Sequence, residues 1–303
     1  MTRTAIVTGG AGFIGSHLVD SLLGDGHEVV AVDDLSSGRA IVRSELEQVG
    51  VVDATALDAV FDAAKPDFVF HLAAPQRGDS GRDFEVNVRG TLNVLEAAGR
   101  HGAPVVFASA GGELYGDGVP LPAPETQLPA PTTSHGASKL AAEAYVLAWA
   151  SSSGLPHSVC RLGNVYGSRD QTGVVAIFSR LLWEGRPPTL YGYGDTTRDY
   201  VHVHDAVSGL RAAAGVGGVF NLGSGVEAGA RSVFKLLRDV SGAHVDPLLA
   251  PLRPGEPARF SLDPSKARRE LGWKPTIPFG TGMRAAYREL ELEESETLIR
   301  NEG

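Results

Sequence analysis

The stretch TAIVTGGAGFIGSHLVDSLLG, residues 4–24, sets the expectation for the fold. Residues 4–8 form a short apolar run that enters a glycine cluster, and residues 13–23 place Ile14, Leu18 and Leu22 on one helical face. The reading is a strand that turns sharply into a helix. Gly9 and Gly12 allow the tight turn and the close approach of a pyrophosphate to backbone N–H groups, while Gly15 lets the helix pack on the strand. The helix N-terminus adds a favourable field for the phosphate charge. The next apolar run, residues 28–33, ends in Asp33, 18 residues beyond Gly15, where a carboxylate accepts hydrogen bonds from an adenosine ribose. The same charge repels a 2′-phosphate, so NAD is expected rather than NADP. Phe13 and Ile14 of the first helical turn belong to this site, and Asp53 with Ala54, ending an apolar strand at residues 51–53, is expected at the adenine edge.

Outward from this turn, apolar runs at residues 68–72, 105–109 and 158–162 alternate with helical stretches at residues 83–100 and 134–150. Strands alternating with helices imply right-handed βαβ units, hence an α/β fold: a Rossmann doubly wound parallel sheet covered on both faces. After about residue 165 the alternation breaks, and from residue 248 prolines separate short helical pieces. The expected division is a dinucleotide domain at 1–165, with 196–224 returning to it, and a smaller substrate lobe from 166–195 and 225–303.

The 303 residues carry 38 glycines, where an average usage of about 7% would give about 21. That excess fits many tight turns. A net charge of −9 argues against a nucleic-acid-binding surface, leaving room for a local cationic pocket. The lone Cys160 excludes an intrachain disulfide framework and reads as a buried strand thiol. The N-terminus lacks the apolar core of a signal peptide, and no apolar run reaches about 18 residues, so a cytoplasmic protein without a membrane partner is expected. His202 and His204 alternate along an expected strand, but nothing nearby completes a ligand set and no metal is expected.

Taken in order, TGGAGFIG, VDDLSSG, FHLAA, NVRGTLNVLEAA, FASAGGELYG, GASKLAAE, RLGNVYG, RDYVHVHD and ELGWKP resemble the extended short-chain dehydrogenase/reductase family, in particular its nucleotide-sugar epimerases and dehydratases. The resemblance runs from residue 1 to about residue 285. It implies a nucleotide-diphosphate sugar as substrate and a site of Ser/Thr, Tyr and Lys, the last two spaced Y-x-x-x-K. Here Lys139 is present and His135 stands at the tyrosine position. Ala110 occupies the hydroxyl position, with Ser109 one residue away and, by strand alternation, on the opposite face. Glu113 matches the acid that deprotonates carbon 5 in the 4,6-dehydratases, without the neighbouring aspartate, and Gly111 and Gly112 are expected to open space beneath a sugar ring.

Residues i and i+4 share a helix face, so His135 and Lys139 can act on the same cofactor and substrate. Histidine, with a reference pKa near 6.5, is a base at neutral pH without the help a tyrosine needs. Its far nitrogen falls about 2 Å short of a phenol oxygen, so the substrate must sit deeper or a water must bridge. His135 is therefore read as the general acid/base, the alternatives being a polar substrate contact or a redox-silent protein.

The resemblance further implies that Lys139 holds the nicotinamide ribose and that Leu72, Ala73, Ala74 and Asn87 line that side. It sets Asn164, Arg198 and Arg253 near the diphosphate and Tyr191 near the base or sugar. Arginine suits that task through its bidentate fork. Transient oxidation at sugar carbon 4 is the expected chemistry. Dehydration or 5-epimerisation through Glu113, and a catalytically silent binder, are the alternatives. A homodimer through the helices at residues 83–100 and 134–150 is implied as well.

Overall fold

A computed structural model describes residues 2–36, 42–75 and 79–302, with side chains described to residue 294. The strands are β1 Thr4–Thr8, β2 Glu28–Val32, β3 Glu45–Glu47, β4 Phe68–His71, β5 Val105–Ala110, β6 Ser158–Leu162, β7 Asn164–Tyr166, β8 Thr189–Tyr191, β9 Thr197–His202, β10 Gly218–Leu222, β11 Glu227–Gly229 and β12 Leu248–Ala250. The helices are α1 Phe13–Gly24, α2 Ala54–Ala64, α3 Ser80–Arg82, α4 Gly90–Arg100, α5 Gly112–Tyr115, α6 Ser134–Ser153, α7 Val174–Trp183, α8 Val203–Ala212, α9 Ala230–Ser241, α10 Ser265–Glu270 and α11 Phe279–Glu302. A π-helix, Asp83–Arg89, joins α3 to α4.

Seven parallel strands run in the order β10-β6-β5-β4-β1-β2-β3. The order reverses at β1, so the glycine turn after β1 opens at a topological switch point, where α/β sheets bind ligands. One face buries Ala5, Val7, Val106, Ala108 and Cys160 with Leu18 and Leu22 of α1 and Leu210 of α8. The other buries Ile6, Val69, Val105 and Phe107 with Leu57 of α2, Leu95 of α4 and Val146 of α6. Alternate residues of each strand thus serve opposite layers, as a sheet covered on both sides requires. Burial pushes the Cys160 thiol up, in keeping with an inert core group.

A third core gathers Val175 and Phe178 of α7, Leu190 of β8, Phe234 of α9 and Met283 of α11 around Tyr166 and Tyr200. Two sequence expectations change. Residues 51–53 are a turn rather than a strand, and Asp53 caps α2 by accepting from Ala56 N at 3.1 Å. His202 ends β9 while His204 lies in α8, so they do not share a strand face; His202 instead accepts from the His204 N–H. Among the described residues no group of metal-ligating side chains forms, and no helix is long and apolar enough to cross a membrane.

Candidate functional site

The turn after β1 is built by backbone contact. Gly9 has φ +69°, and a Cβ there would lie 2.7 Å from Ala73 N. A Cβ on Gly15 would fall onto the Gly9 carbonyl. No side chain caps α1, so its first N–H groups are left for an anion. Asp33 follows β2 with 9% exposure; its two oxygens accept from Ala11 N at 3.0 Å and Leu35 N at 2.9 Å. Burial raises its pKa and the backbone donors partly offset that, while the remaining lone pairs are left to accept from ribose hydroxyls. The last residues of VDDLSSG, Ser37 and Gly38, lie outside the described residues. Leu72 and Ala73 close against the turn, with Leu72 N donating to Thr8 O at 3.0 Å. Ala74 and Ala54 are exposed beside them. Phe13 and Ile14 are half-buried in the first turn of α1, Ile14 packing on the core. This cradle fits a dinucleotide pyrophosphate and its adenosine ribose.

A polar chain runs from this turn to α6; sequence reading names its Asn87 and His135 but misses Thr8, His71, Thr91 and Ser138. Thr8 Oγ1 meets His71 Nδ1 at 2.6 Å, and His71 Nε2 meets Thr91 Oγ1 at 2.9 Å. Thr91 donates to Asn87 O at 2.5 Å, Asn87 Nδ2 to Ser138 Oγ at 2.8 Å, and Ser138 to His135 O at 2.8 Å. Because the Thr91 proton is committed, Nε2 of His71 must donate and Nδ1 accept. Burial, with Lys139 adding to it, lowers His71 to about 3, so the ring stays neutral. Asn87 is fully buried, and its Oδ1 has no hydrogen-bond partner among the described residues. The signal for the missed groups was weak in sequence because Thr, His and Ser spaced along separate elements show no period.

On α6, Thr133 is the N-cap, accepting from Gly136 N at 3.0 Å and donating to Glu113 Oε2 at 3.1 Å. Glu113 lies half-buried in α5, where it braces the helix that carries His135 and Lys139. Lys139 is 4% exposed, donates to Ala108 O at 3.0 Å and sits 4.7 Å over the Phe107 ring. Ser109 follows the alternation of Phe107 and so faces α6; its buried hydroxyl has no hydrogen-bond partner among the described residues. Gly111 and Gly112 do not open space below a sugar. A Cβ on either would strike the buried ring of Phe260, which fills that volume.

Desolvation lowers Lys139 from 10.5 to about 8. The unfolded chain therefore holds the extra proton between about pH 8 and 10.5, and the ammonium's burial costs stability below that window, on the order of 3 kcal/mol. Lys139→Met forfeits the bond to Ala108 O, worth about 1 kcal/mol. The cofactor-free variant is expected to gain about 1–2 kcal/mol over wild type at pH 7. Urea denaturation at pH 7 and pH 10 checks this; a gain that does not shrink at pH 10 contradicts it.

In the third core's layer, Arg198 of β9 and Arg253 both reach Glu256, at 3.8 Å and 3.5 Å. The Arg253 guanidinium lies 3.9 Å from the Tyr191 ring centroid. The fold thus gathers Tyr191, Arg198 and Arg253, with Glu256 as an unforeseen member. Asn164 is exposed at the start of β7, opposite Tyr200 and beside Arg198 across the β7–β9 pair. Both pairs are long, Arg253 is exposed and Arg198 half-buried, so little binding energy is lost if a polyanion replaces Glu256 as their partner.

A glycine turn at the switch point, an acid at the next strand end and a buried lysine beside β5 define a dinucleotide-dependent enzyme of the α/β class. The model of the NAD dependent epimerase/dehydratase family matches residues 5–223, and the chain belongs to that family. It is 40% identical over 299 residues to a UDP-glucose 4-epimerase of Mycolicibacterium smegmatis, covering 92% of this chain and 95% of that one. The UDP-glucose 4-epimerase of Thermotoga maritima, solved with UDP-glucose, superposes with a TM-score of 0.92 at 36% identity, covering 96% and 99% of the two chains. That of Thermus thermophilus, solved with NAD, gives 0.89 at 36% identity over 95% and 99%. NAD is accordingly the cofactor.

Proposed function

We propose that the protein is a nucleotide-sugar epimerase acting by transient oxidation at sugar carbon 4, with His135 and Lys139 in place of a Tyr/Lys pair. The observation that carries this reading is the helix α6, which sets His135 and buried Lys139 one turn apart against β5. Bound NAD supplies a reversible hydride acceptor. Asp33 and the Gly9–Gly15 turn hold its adenosine half, with Asp53 and Ala54 at the adenine edge, and Lys139, Asn87 and the Leu72–Ala74 segment serve the inner ribose. His135 takes the hydroxyl proton and returns it. Lys139 supplies a fixed positive charge beside the site, and Ser109 offers a hydroxyl on the same side of β5. Arg198 and Arg253 pair with the diphosphate, Asn164 lies near it, and Tyr191 packs near the base. Tyr191 and Arg253 belong to the lobe at 166–195 and 225–303, Arg198 to the neighbouring strand β9 and Asn164 to β7.

The names of the relatives support a UDP-sugar. Glu113 is bonded to the cap of α6, which supports a bracing role over that of a carbon-5 base. We also place the enzyme in the cytoplasm as a homodimer, since Phe84 at 54% exposure and Tyr145 at 41% present apolar surface on the π-helix and α6.

The test is incubation with NAD and a panel of UDP-sugars, products resolved by NMR and the mass of the same preparation by sedimentation velocity. Interconversion of carbon-4 epimers is expected, falling about 10³-fold in His135→Phe. A 4-keto-6-deoxy product favours dehydration, and tight binding without turnover favours the silent binder. Unchanged turnover in His135→Phe removes His135 from catalysis, and a monomer removes the dimer.

A further inference from the structure

A histidine at the tyrosine position brings a requirement the tyrosine lacks. An imidazole has two nitrogens, and catalysis through one depends on what holds the other. In this chain the His135 Nδ1 faces Asp83 Oδ1 at 3.3 Å, with the two side chains 13% and 3% exposed. The second oxygen of Asp83 accepts the Ser134 hydroxyl, so the carboxylate is gripped from both sides by adjacent residues of α6. Its own backbone is fixed as well, Asp83 N donating to Asp79 O at 2.9 Å where the π-helix begins. One turn later Asn87 bonds Ser138, so the π-helix and α6 are tied at two successive levels. π-helical turns recur at functional sites.

We propose that Asp83 is the positioning residue of His135, a carboxylate–imidazole dyad that stands in for the phenol of this family. This rests on the reading of His135 as the acid/base. An ionised carboxylate only accepts, so Nδ1 carries the hydrogen and Nε2 is the nitrogen that exchanges a proton with the sugar. As the sugar O–H bond breaks, its proton forms the N–H bond at Nε2 and the ring becomes an imidazolium. The Asp83 charge stabilises that cation, and the proton returns to oxygen in the second half of the cycle. The dyad also fixes the ring plane, which a histidine shorter than tyrosine needs more than tyrosine would. Two other charged groups belong to this corner: Lys139 one turn along α6, and Glu113 of α5, reached through Thr133. The Asp83 contact at Nδ1 is the one that sets the tautomer with Nε2 facing the sugar.

The test is Asp83→Asn in the NAD-loaded full-length enzyme, with histidine ¹⁵N resonances recorded alongside kinetics. His135→Phe identifies the His135 signals among the 9 histidines. Wild type is expected to show the Nδ1–H tautomer. In Asp83→Asn, kcat is expected to fall about 10²-fold with KM within about 3-fold. The acid limb of kcat/KM and the His135 titration midpoint both move about one pH unit lower, because a neutral amide no longer favours the imidazolium. Asp83→Glu is expected to restore the limb.

A limb and midpoint that stay in place overturn the proposal, even if activity drops with the folded fraction. Should Asp83→Asn fail to fold, an Nε2–H tautomer at His135 in wild type, assigned through His135→Phe, overturns it. If His135→Phe keeps full turnover, the acid/base reading itself has failed. If that variant is dead and Asp83→Asn is unmoved, only the dyad has.

Discussion

Gly15→Ala is expected to weaken NAD binding at least about 100-fold, equivalent to about 2.7 kcal/mol. A Cβ at this position would fall onto the Gly9 carbonyl oxygen, and within 2.8 Å of Gly9 C and 2.9 Å of Gly10 Cα. All three atoms are backbone, so no rotamer change makes room. Relief requires α1 to lift from β1 or the turn to open. Gly9 is itself held at φ +69° against Ala73 and Leu72, so the turn has nowhere to go. Either movement withdraws the α1 N-terminus from the pyrophosphate. Gly24 at the far end of the same helix is the control. A Cβ there meets nothing within 4 Å, and Gly24→Ala should stabilise by up to about 1 kcal/mol. Calorimetric titration of the cofactor-free proteins with NAD decides it; equal affinity in Gly15→Ala and wild type would falsify the account.

Glu143→Leu is expected to destabilise by about 3–5 kcal/mol. Glu143 of α6 and Arg161 of β6 are 2% and 6% exposed, and the Arg161 Nη2–Glu143 Oε2 distance is 2.7 Å. Arg161 Nε adds bonds at 3.1 and 3.2 Å, and Nη1 donates to Tyr115 Oη at 2.7 Å. Tyr115 in turn bonds Asn221 Oδ1 at 3.2 Å, so one network joins α6, β6, α5 and β10 beneath the site. Removing the carboxylate leaves a guanidinium buried with no anion in its fork, the costly case. Replacing both partners is a different matter. Glu143→Leu with Arg161→Met is expected to recover most of the loss, because the desolvated charge has gone too. Urea unfolding free energies of the two single variants and the double variant check this; a double-variant loss equal to the sum of the two single losses would show that the pair carries no coupling.

The glycine turn and the strand-end acid were legible because their geometry is local. A glycine spacing, a strand before it, a helix after it and an acid at the next strand end lie within residues 4–33, and backbone sterics permit few ways to arrange them. The placement of His135 and Lys139 one turn apart on a single helix was legible for a similar reason, since a fixed helical spacing puts them on one face. The errors fell where a local pattern had two readings. Residues 51–53 look like a strand, yet Asp53 caps a helix. His202 and His204 look like strand alternation, yet the chain changes element between them. Gly111 and Gly112 look like open space, yet Phe260, distant in sequence, fills it.

By itself, then, the sequence determined the α/β layering, the glycine turn, the carboxylate at the end of β2 and the helical spacing of His135 and Lys139. Each depends on residues a few positions apart, where dihedral preference and periodicity act directly. Tertiary structure alone decided which groups hold those residues in place. Asp83 meets His135 across 52 residues, Arg161 meets Glu143 across 18, and Glu256 draws Arg198 and Arg253 together from separate segments. Such pairs leave no period in the sequence, because a buried charge can be matched by any element the fold brings within hydrogen-bonding distance.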